Sequence, residues 1–108
     1  MKISNLNNLI KTGSLQLKNW GVIDIIGEKE KVFDLLQGQV TSDVKLLENN
    51  ECQLSSICNH KGQVMADFII YYFDNSYKFI LKNELSDTLI QELNPFAQFN
   101  FVEFKKSS

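Results

Sequence analysis

The chain has 108 residues, which is enough to bury one hydrophobic core and predicts a single domain over residues 1–108. Its 44% hydrophobic and 11% aromatic content is that of a globular protein and excludes a disordered chain. The net charge is −2 and the sequence contains no arginine, so we expect no direct DNA binding through the arginine fork that reads base edges.

The first half of the chain predicts a strand followed by a helix. Residues Trp20–Gly27 are rich in β-branched side chains, which favours a mostly buried strand. Apolar residues then recur at helical spacing at Val32, Leu35, Leu36 and Val40. They predict a helix of about three turns, disturbed near Gly38. The cap-forming residues Thr41–Asp43 predict a second short turn.

Three antiparallel strands are predicted next. Their ranges are Glu51–Cys58, Gln63–Phe73 and Tyr77–Leu81, joined by tight turns at Asn59–Gly62 and Asp74–Ser76. An amphipathic helix should begin at Asn83 as its N-cap and stop near Pro95. A last strand is expected at Phe99–Phe104. This order predicts an α+β fold, a mainly antiparallel sheet with two helices on one face.

A cluster of polar side chains lies where the first helix should break. We call this the polar cluster; it consists of Gln37, Gln39, Thr41, Ser42 and Asp43. It has two interpretations. The side chains cap the orphan backbone groups of a helix end, or they form a polar wall that recognises a heterocycle through amide and hydroxyl hydrogen bonds.

Asp67 is a carboxylate within a predicted strand, on the face expected to carry Met65, Ile69 and Tyr71. Burying an unpaired carboxylate costs several kcal/mol. Asp67 is therefore either held by structural hydrogen bonds or kept for the donor groups of a ligand.

The remaining chemistry-bearing residues predict neither a catalytic centre nor a metal site. Cys52 and Cys58 are spaced unlike a disulfide framework or a Cys-x-x-Cys pair, and we expect two buried or half-buried thiols. Adding His60 to them gives no recognised ligand spacing. The longest apolar run, Phe68–Phe73, is too short for a membrane span and no signal peptide is evident, so we expect a cytoplasmic protein with no membrane partner.

Two blocks of sequence resemble a known family. They are WGVIDIIGEKEKVFDLLQGQVTSDV, residues Trp20–Val44, and SICNHKGQVMADFIIYY, residues Ser56–Tyr72. These blocks are similar to the YgfZ-type folate-binding proteins, relatives of the glycine-cleavage T-protein (aminomethyltransferase). The Leu36–Val44 signature is the specific part. The resemblance implies the N-terminal part of a larger, ring-like protein that binds tetrahydrofolate at its centre.

The resemblance also implies the function. A YgfZ-type folate-binding module would assist the maturation or repair of iron–sulfur enzymes, its client proteins, and through them tRNA modification. T-protein-like members carry two consecutive acids where this chain has Ala66-Asp67, which argues against aminomethyl transfer and against a complete enzyme. The cysteine-containing Lys-Gly-Cys signature of the YgfZ branch has no counterpart in the sequence.

The resemblance implies a set of ligand-binding residues: Trp20, Gln39, Thr41, Asp43, Asn59, Lys61 and Asp67. Two other functions stay open. One is one-carbon transfer of the aminomethyltransferase type. The other is a protein-interaction half-domain without ligand, which would use missing C-terminal domains or a second copy to cover the crowded aromatics Phe96, Phe99, Phe101 and Phe104.

Overall fold

The computed structural model describes residues 2–3 and 19–107 of the chain. In those ranges six strands form one sheet: β1 Lys2–Ile3, β2 Trp20–Ile26, β3 Glu51–Cys58, β4 Val64–Phe73, β5 Ser76–Lys82 and β6 Glu103–Ser107. The order across the sheet is β1-β3-β4-β5-β2-β6, and every pair is antiparallel. Two helices, α1 Lys29–Gln39 and α2 Asn83–Asn100, and a 3₁₀ turn at Val44–Leu46 complete the fold. The predicted fold class is confirmed.

The main core lies between the two helices and one face of the sheet. Its fully buried side chains are Ile23, Leu36, Ile70, Phe79, Leu81 and Leu89. Each contributes about 1.5–3 kcal/mol when removed from water. Because strand residues alternate between faces, a smaller cluster of Cys52, Ile69 and Ile80 forms on the opposite face, and Trp20 packs against it.

Helix α1 runs through Gly38 and ends at Gln39, so the expected disturbance at Gly38 was wrong. Strand pairing sets the end instead. Val40 is extended and forms an isolated bridge with Ile57 of β3, while its N–H still bonds to the Leu36 carbonyl. The short turn predicted after the helix is present as the 3₁₀ turn, with Asp43 as its N-cap.

Helix α2 continues past Pro95, where the sequence predicts a stop. Proline removes one backbone hydrogen bond, but the buried residues Leu89, Leu93 and Ala97 carry the apolar stripe across it. The helix ends at Asn100, and the next residue, Phe101, is left-handed (φ 58°) and donates its N–H to the Ala97 and Gln98 carbonyls. The strand predicted at Phe99–Phe104 was therefore misplaced, because β6 begins at Glu103.

A β-bulge interrupts the β3–β4 pair. Ile57 pairs with Ala66 and Cys58 pairs with Val64, which leaves Met65 as the extra residue in β4. Met65 then packs against the main core, so the expectation that it shares the face of Asp67 was wrong. Ile69 and Tyr71 do lie on the opposite face with Asp67.

Neither helix of the described part of the chain combines the length and apolar character that a membrane crossing needs.

Candidate functional site

The sheet opens between β4 and β5. Their ladder ends at the pair Ile69–Ile80, yet both strands continue beyond it. The rest of β4 pairs only with β3, whereas β5 stays paired with β2 as far as Lys82 opposite Trp20. The backbone therefore leaves a gap in the sheet, into which side chains from both faces of β4 can reach.

This gap is a cleft of about 410 Å³. We call it the cleft; it is lined by Trp20, Leu54, Ser55, Asp67, Phe68, Ile69, Lys82 and Leu85. Its volume lies within the range of small-molecule sites. The lining is largely apolar, with one carboxylate and one ammonium group. That combination suits a flat apolar ligand that carries a few hydrogen-bonding groups.

Close packing at Gly21 fixes the Trp20 wall of the cleft. The Asn83 side chain lies directly against Gly21, where a Cβ would meet its Oδ1 atom. The Asn83 N–H donates to the Asn19 carbonyl at 2.9 Å, which ties that start to the residue before Trp20. Helix α2 thus holds Trp20 and Leu85 on the same side of the cleft.

The polar cluster is occupied by structural hydrogen bonds. Gln37 Nε2 donates to Asp43 Oδ1 at 2.8 Å, and Gln37 Oε1 accepts from the Val44 N–H at 2.8 Å. Asp43 Oδ1 also accepts from the Lys45 N–H at 3.1 Å. The hydrogen bond from Gln37 is the main reason why the pKa of Asp43 is lowered below its usual value. These bonds cap the 3₁₀ turn, which is the first of the two interpretations given above.

The same cluster is joined to strand β3. The Ser42 hydroxyl lies 2.7 Å from both Gln53 Oε1 and Ser55 Oγ, and Gln53 Nε2 donates to the Asp43 carbonyl at 2.8 Å. Gln53 is only 3% exposed, so these bonds satisfy a buried amide. Thr41 Oγ1 accepts from the Ser56 N–H at 3.1 Å and covers the edge of β3.

Asn59 and Lys61 belong to the β3–β4 hairpin turn. Asn59 Oδ1 accepts from the N–H groups of Lys61 and Gln63, at 2.9 and 3.0 Å, which closes an Asx-type turn. Gly62 provides the positive φ of 81° that the turn requires. The Asn59 side chain therefore has a structural role in the hairpin.

The structure divides the seven predicted ligand-binding residues among several places. Trp20 and Asp67 line the cleft. Gln39 and Asn59 line a separate groove of about 340 Å³ beside Phe96. Thr41 and Asp43 lie in the polar cluster, and Lys61 is exposed in the hairpin turn. Only Trp20 and Asp67 of the set are brought together in the cleft.

Sequence reasoning missed several walls of the cleft, among them Leu54, Phe68, Lys82 and Leu85. The gap arises from where the β4–β5 pairing stops, and no short motif encodes that. One signal was present in the sequence. Lys82 is a charged residue at the end of an apolar strand, next to a helix start, and such positions often border a site.

The two cysteines lie apart on strand β3 and are both free. Cys52 is buried and Cys58 is exposed, so the expectation of two buried or half-buried thiols holds only for Cys52. Burial raises the pKa of the Cys52 thiol to about 11. The described residues contain no group of three or more His, Cys, Asp or Glu side chains placed to hold a metal ion.

The chain is similar in sequence to proteins named tRNA-modifying protein YgfZ. It is 31% identical over 102 residues to the one from Photobacterium profundum, which spans 94% of this chain and 30% of that protein. The identity is 34% for Hamiltonella defensa and 33% for Buchnera aphidicola, over 81% and 80% of this chain. The chain is therefore related to one part of the YgfZ-type proteins. It spans about 30% or less of the length of these relatives.

A solved structure shares the fold. The glycine cleavage system aminomethyltransferase T from Bartonella henselae superposes with a TM-score of 0.73, over 84% of this chain and 25% of that one. At 17% identity the likeness concerns the fold alone. No protein-family model matches the chain. The T-protein-like fold and the relation to YgfZ, both predicted from the sequence, are confirmed.

Proposed function

We propose that this YgfZ-type chain is a tetrahydrofolate-binding module and that the cleft takes the pterin ring. One observation carries the proposal. The cleft brings Trp20 and Asp67, which are far apart in sequence, to opposite walls of a largely apolar recess of about 410 Å³.

The chemistry of a pterin matches these walls. Its aminopyrimidinone edge presents neighbouring N–H donors, and a carboxylate can accept two such bonds side by side. Asp67 is the carboxylate available in the cleft. The flat ring would pack against the Trp20 indole and the apolar side chains of Leu54 and Ile69. We therefore expect the ligand to bond to Asp67 through the donors at its edge and to contact the apolar side chains through its ring faces.

The wider role that we propose follows the relatives. Proteins similar to this chain are named tRNA-modifying proteins. We propose that the module assists the maturation or repair of iron–sulfur client enzymes and affects tRNA modification through them. Binding rather than catalysis is proposed because Ala66, at the position where T-protein-like members carry the implicated acid, is 3% exposed and packs in the main core.

Calorimetric titration of the chain with tetrahydrofolate tests the proposal. We expect saturable binding that is about tenfold weaker in Asp67→Asn, or about 1.4 kcal/mol. Asp74→Asn removes a carboxylate from the β4–β5 turn, outside the cleft, and serves as the matched control. Absence of binding by the wild-type chain, or equal losses in the two variants, would contradict the proposal.

A protein-interaction module is the second candidate, and exposed aromatic residues favour it. Phe99 is 84% exposed and Phe101 78%, near the half-exposed Phe96 at the end of α2. Phe104 is different, because it stacks on Phe79 of the main core. We propose that a second copy of the chain covers the three exposed rings.

Sedimentation velocity over a range of protein concentrations tests this second candidate. Self-association should weaken at least tenfold in the double variant Phe99→Ser and Phe101→Ser. The control is Phe73→Ser, which removes a half-exposed ring at the far end of β4. A wild-type chain that stays monomeric at high concentration would exclude self-association through these rings.

A further inference from the structure

A second recess borders the cleft at Trp20 and Lys82. This recess has a volume of about 400 Å³ and is lined by Asn19, Trp20, Lys82, Asn83 and Glu84. Trp20 and Lys82 also line the cleft. The two cavities are therefore neighbours that share the same two side chains as a common wall.

Strand register explains the shared wall. Trp20 and Lys82 are direct partners in the β2–β5 ladder, at the point where that ladder ends. Residues directly opposite in an antiparallel pair place their side chains on the same face, with Cβ atoms about 5 Å apart. An aromatic ring and a cation thus lie side by side at the border that the cleft and the recess share.

The two cavities contain three ionisable side chains. Asp67 lines the cleft, Glu84 lines the recess, and Lys82 lines both. A ligand whose donor edge reaches Asp67 and whose body extends past Trp20 would bring its next segment to Lys82. An anionic group is favoured at the ammonium and disfavoured close to Glu84.

We propose that Lys82 recognises an anionic tail on the ligand, so that the site selects folates by their glutamate carboxylate as well as by their pterin ring. This inference rests on the proposed folate-binding function. It assigns Lys82 as a specificity-determining residue and the recess as the place of the tail. Because Lys82 is exposed, its electrostatic contribution is modest and depends on salt.

The test compares two ligands, tetrahydrofolate and 6-methyltetrahydropterin, which lacks the tail. Lys82→Gln should weaken tetrahydrofolate binding about three- to fivefold at low ionic strength and leave binding of the tail-free pterin unchanged. Lys82→Arg keeps the charge and should restore tetrahydrofolate affinity. The difference should vanish near 1 M salt, where the screening length is about 3 Å.

Two further variants sharpen the result. Lys45→Gln removes a lysine outside both cavities and should not change binding of either ligand. Glu84→Gln should strengthen tetrahydrofolate binding about twofold, since it removes the like charge in the recess.

The outcomes separate this inference from the proposed function. If both ligands bind the wild-type chain and Lys82→Gln affects them equally or not at all, the assignment of Lys82 is overturned while folate binding stands. If neither ligand binds the wild-type chain, the proposed function fails and the inference fails with it.

Discussion

The polar cluster lies beside β3, and the cleft lies beside β4. The two regions differ in how their polar side chains are bonded. In the polar cluster, Gln37, Ser42 and Asp43 are bonded to backbone groups and to Gln53 at 2.7–3.1 Å. In the cleft, Asp67 and Lys82 are exposed at the walls of an open recess. Ser55 connects the two regions, because its hydroxyl accepts a hydrogen bond from Ser42 of the polar cluster and the residue also lines the cleft.

The family signature and the proposed binding surface therefore occupy different parts of the molecule. The Leu36–Val44 signature identifies the family, yet its side chains hold the α1 end onto β3. The cleft is built from residues of β2, β3, β4, β5 and α2 that share no motif. Structural hydrogen bonds consume the polar groups of the first region and leave those of the second available to a ligand.

The largest expected effect is a loss of stability on substitution of Gln53, which bonds to the polar cluster and lies outside the cleft. Gln53→Leu leaves the Asp43 carbonyl and the Ser42 hydroxyl without the amide partner that the buried Gln53 provides, and should lower the free energy of unfolding by about 2–3 kcal/mol. Urea denaturation measures it, with the exposed Gln91→Leu as control. Tetrahydrofolate affinity of the folded variant should change less than threefold. A large loss of affinity with unchanged stability would reverse the roles of the two regions.

Cys52 tests the packing of the sheet face opposite the helices. Its folded pKa is raised to about 11 from 9.0, so the unfolded chain loses the thiol proton first as the pH rises. Stability should therefore be unaffected below pH 9 and fall by about 2 kcal/mol between pH 9 and pH 11.

Cys52→Ala is the comparison for that titration. The alkaline loss should be smaller in this variant when both proteins are unfolded in urea across the same pH range. Tyr71, the strand partner of Cys52, also has its pKa raised, first by burial and then by the negative charge of the Cys52 thiolate. Cys52→Ala removes that charge, so the contribution of Tyr71 to the alkaline loss should become smaller in the variant as well. Identical pH profiles would show that Cys52 is not shielded from water.

In contrast to Gln53→Leu, Asp67→Asn should lower tetrahydrofolate affinity and leave stability nearly unchanged. Because Asp67 is exposed, the substitution should change the free energy of unfolding by less than about 0.5 kcal/mol. Its effect should appear in tetrahydrofolate affinity, as the tenfold loss expected above. Thermal denaturation of the free and the ligand-saturated variant measures both quantities, and a strongly destabilised variant would make Asp67 a structural residue.

The smallest expected effect concerns Thr41. Thr41→Val keeps the shape of the side chain but removes its hydrogen bonds to Ser56, and should cost about 0.5–1 kcal/mol of stability. Tetrahydrofolate affinity should stay the same, although Thr41 belongs to the predicted ligand-binding set. A clear loss of affinity would place the polar cluster in the binding site after all.

Local patterns predicted most of the fold. The strand pattern predicted β3 with the bounds that the structure has, and helical spacing predicted the three turns of α1 without fixing its ends. The predicted helix end near Pro95 and the predicted strand start at Phe99 were both wrong. The helix continues because the tertiary packing of Leu93 and Ala97 outweighs the one hydrogen bond that proline removes. The hairpin residue Asn59 was placed correctly, since its turn chemistry is local.

The cleft could be predicted only in part. The strand pattern marks Asp67 as a candidate with either a structural or a ligand-binding role, whereas Trp20 enters only through the resemblance. The walls at Lys82 and Leu85 depend on where the β4–β5 ladder ends, which is a long-range property of the sheet. No spacing along the chain contains that information.

The most direct test of the cleft as the ligand site uses the fluorescence of Trp20, the single tryptophan of the chain. Tetrahydrofolate should quench this emission saturably, with the same midpoint in Thr41→Val and a midpoint about tenfold higher in Asp67→Asn. If calorimetry registers binding while the Trp20 emission stays unchanged, the ligand lies elsewhere and the assignment of the cleft as the ligand site is contradicted.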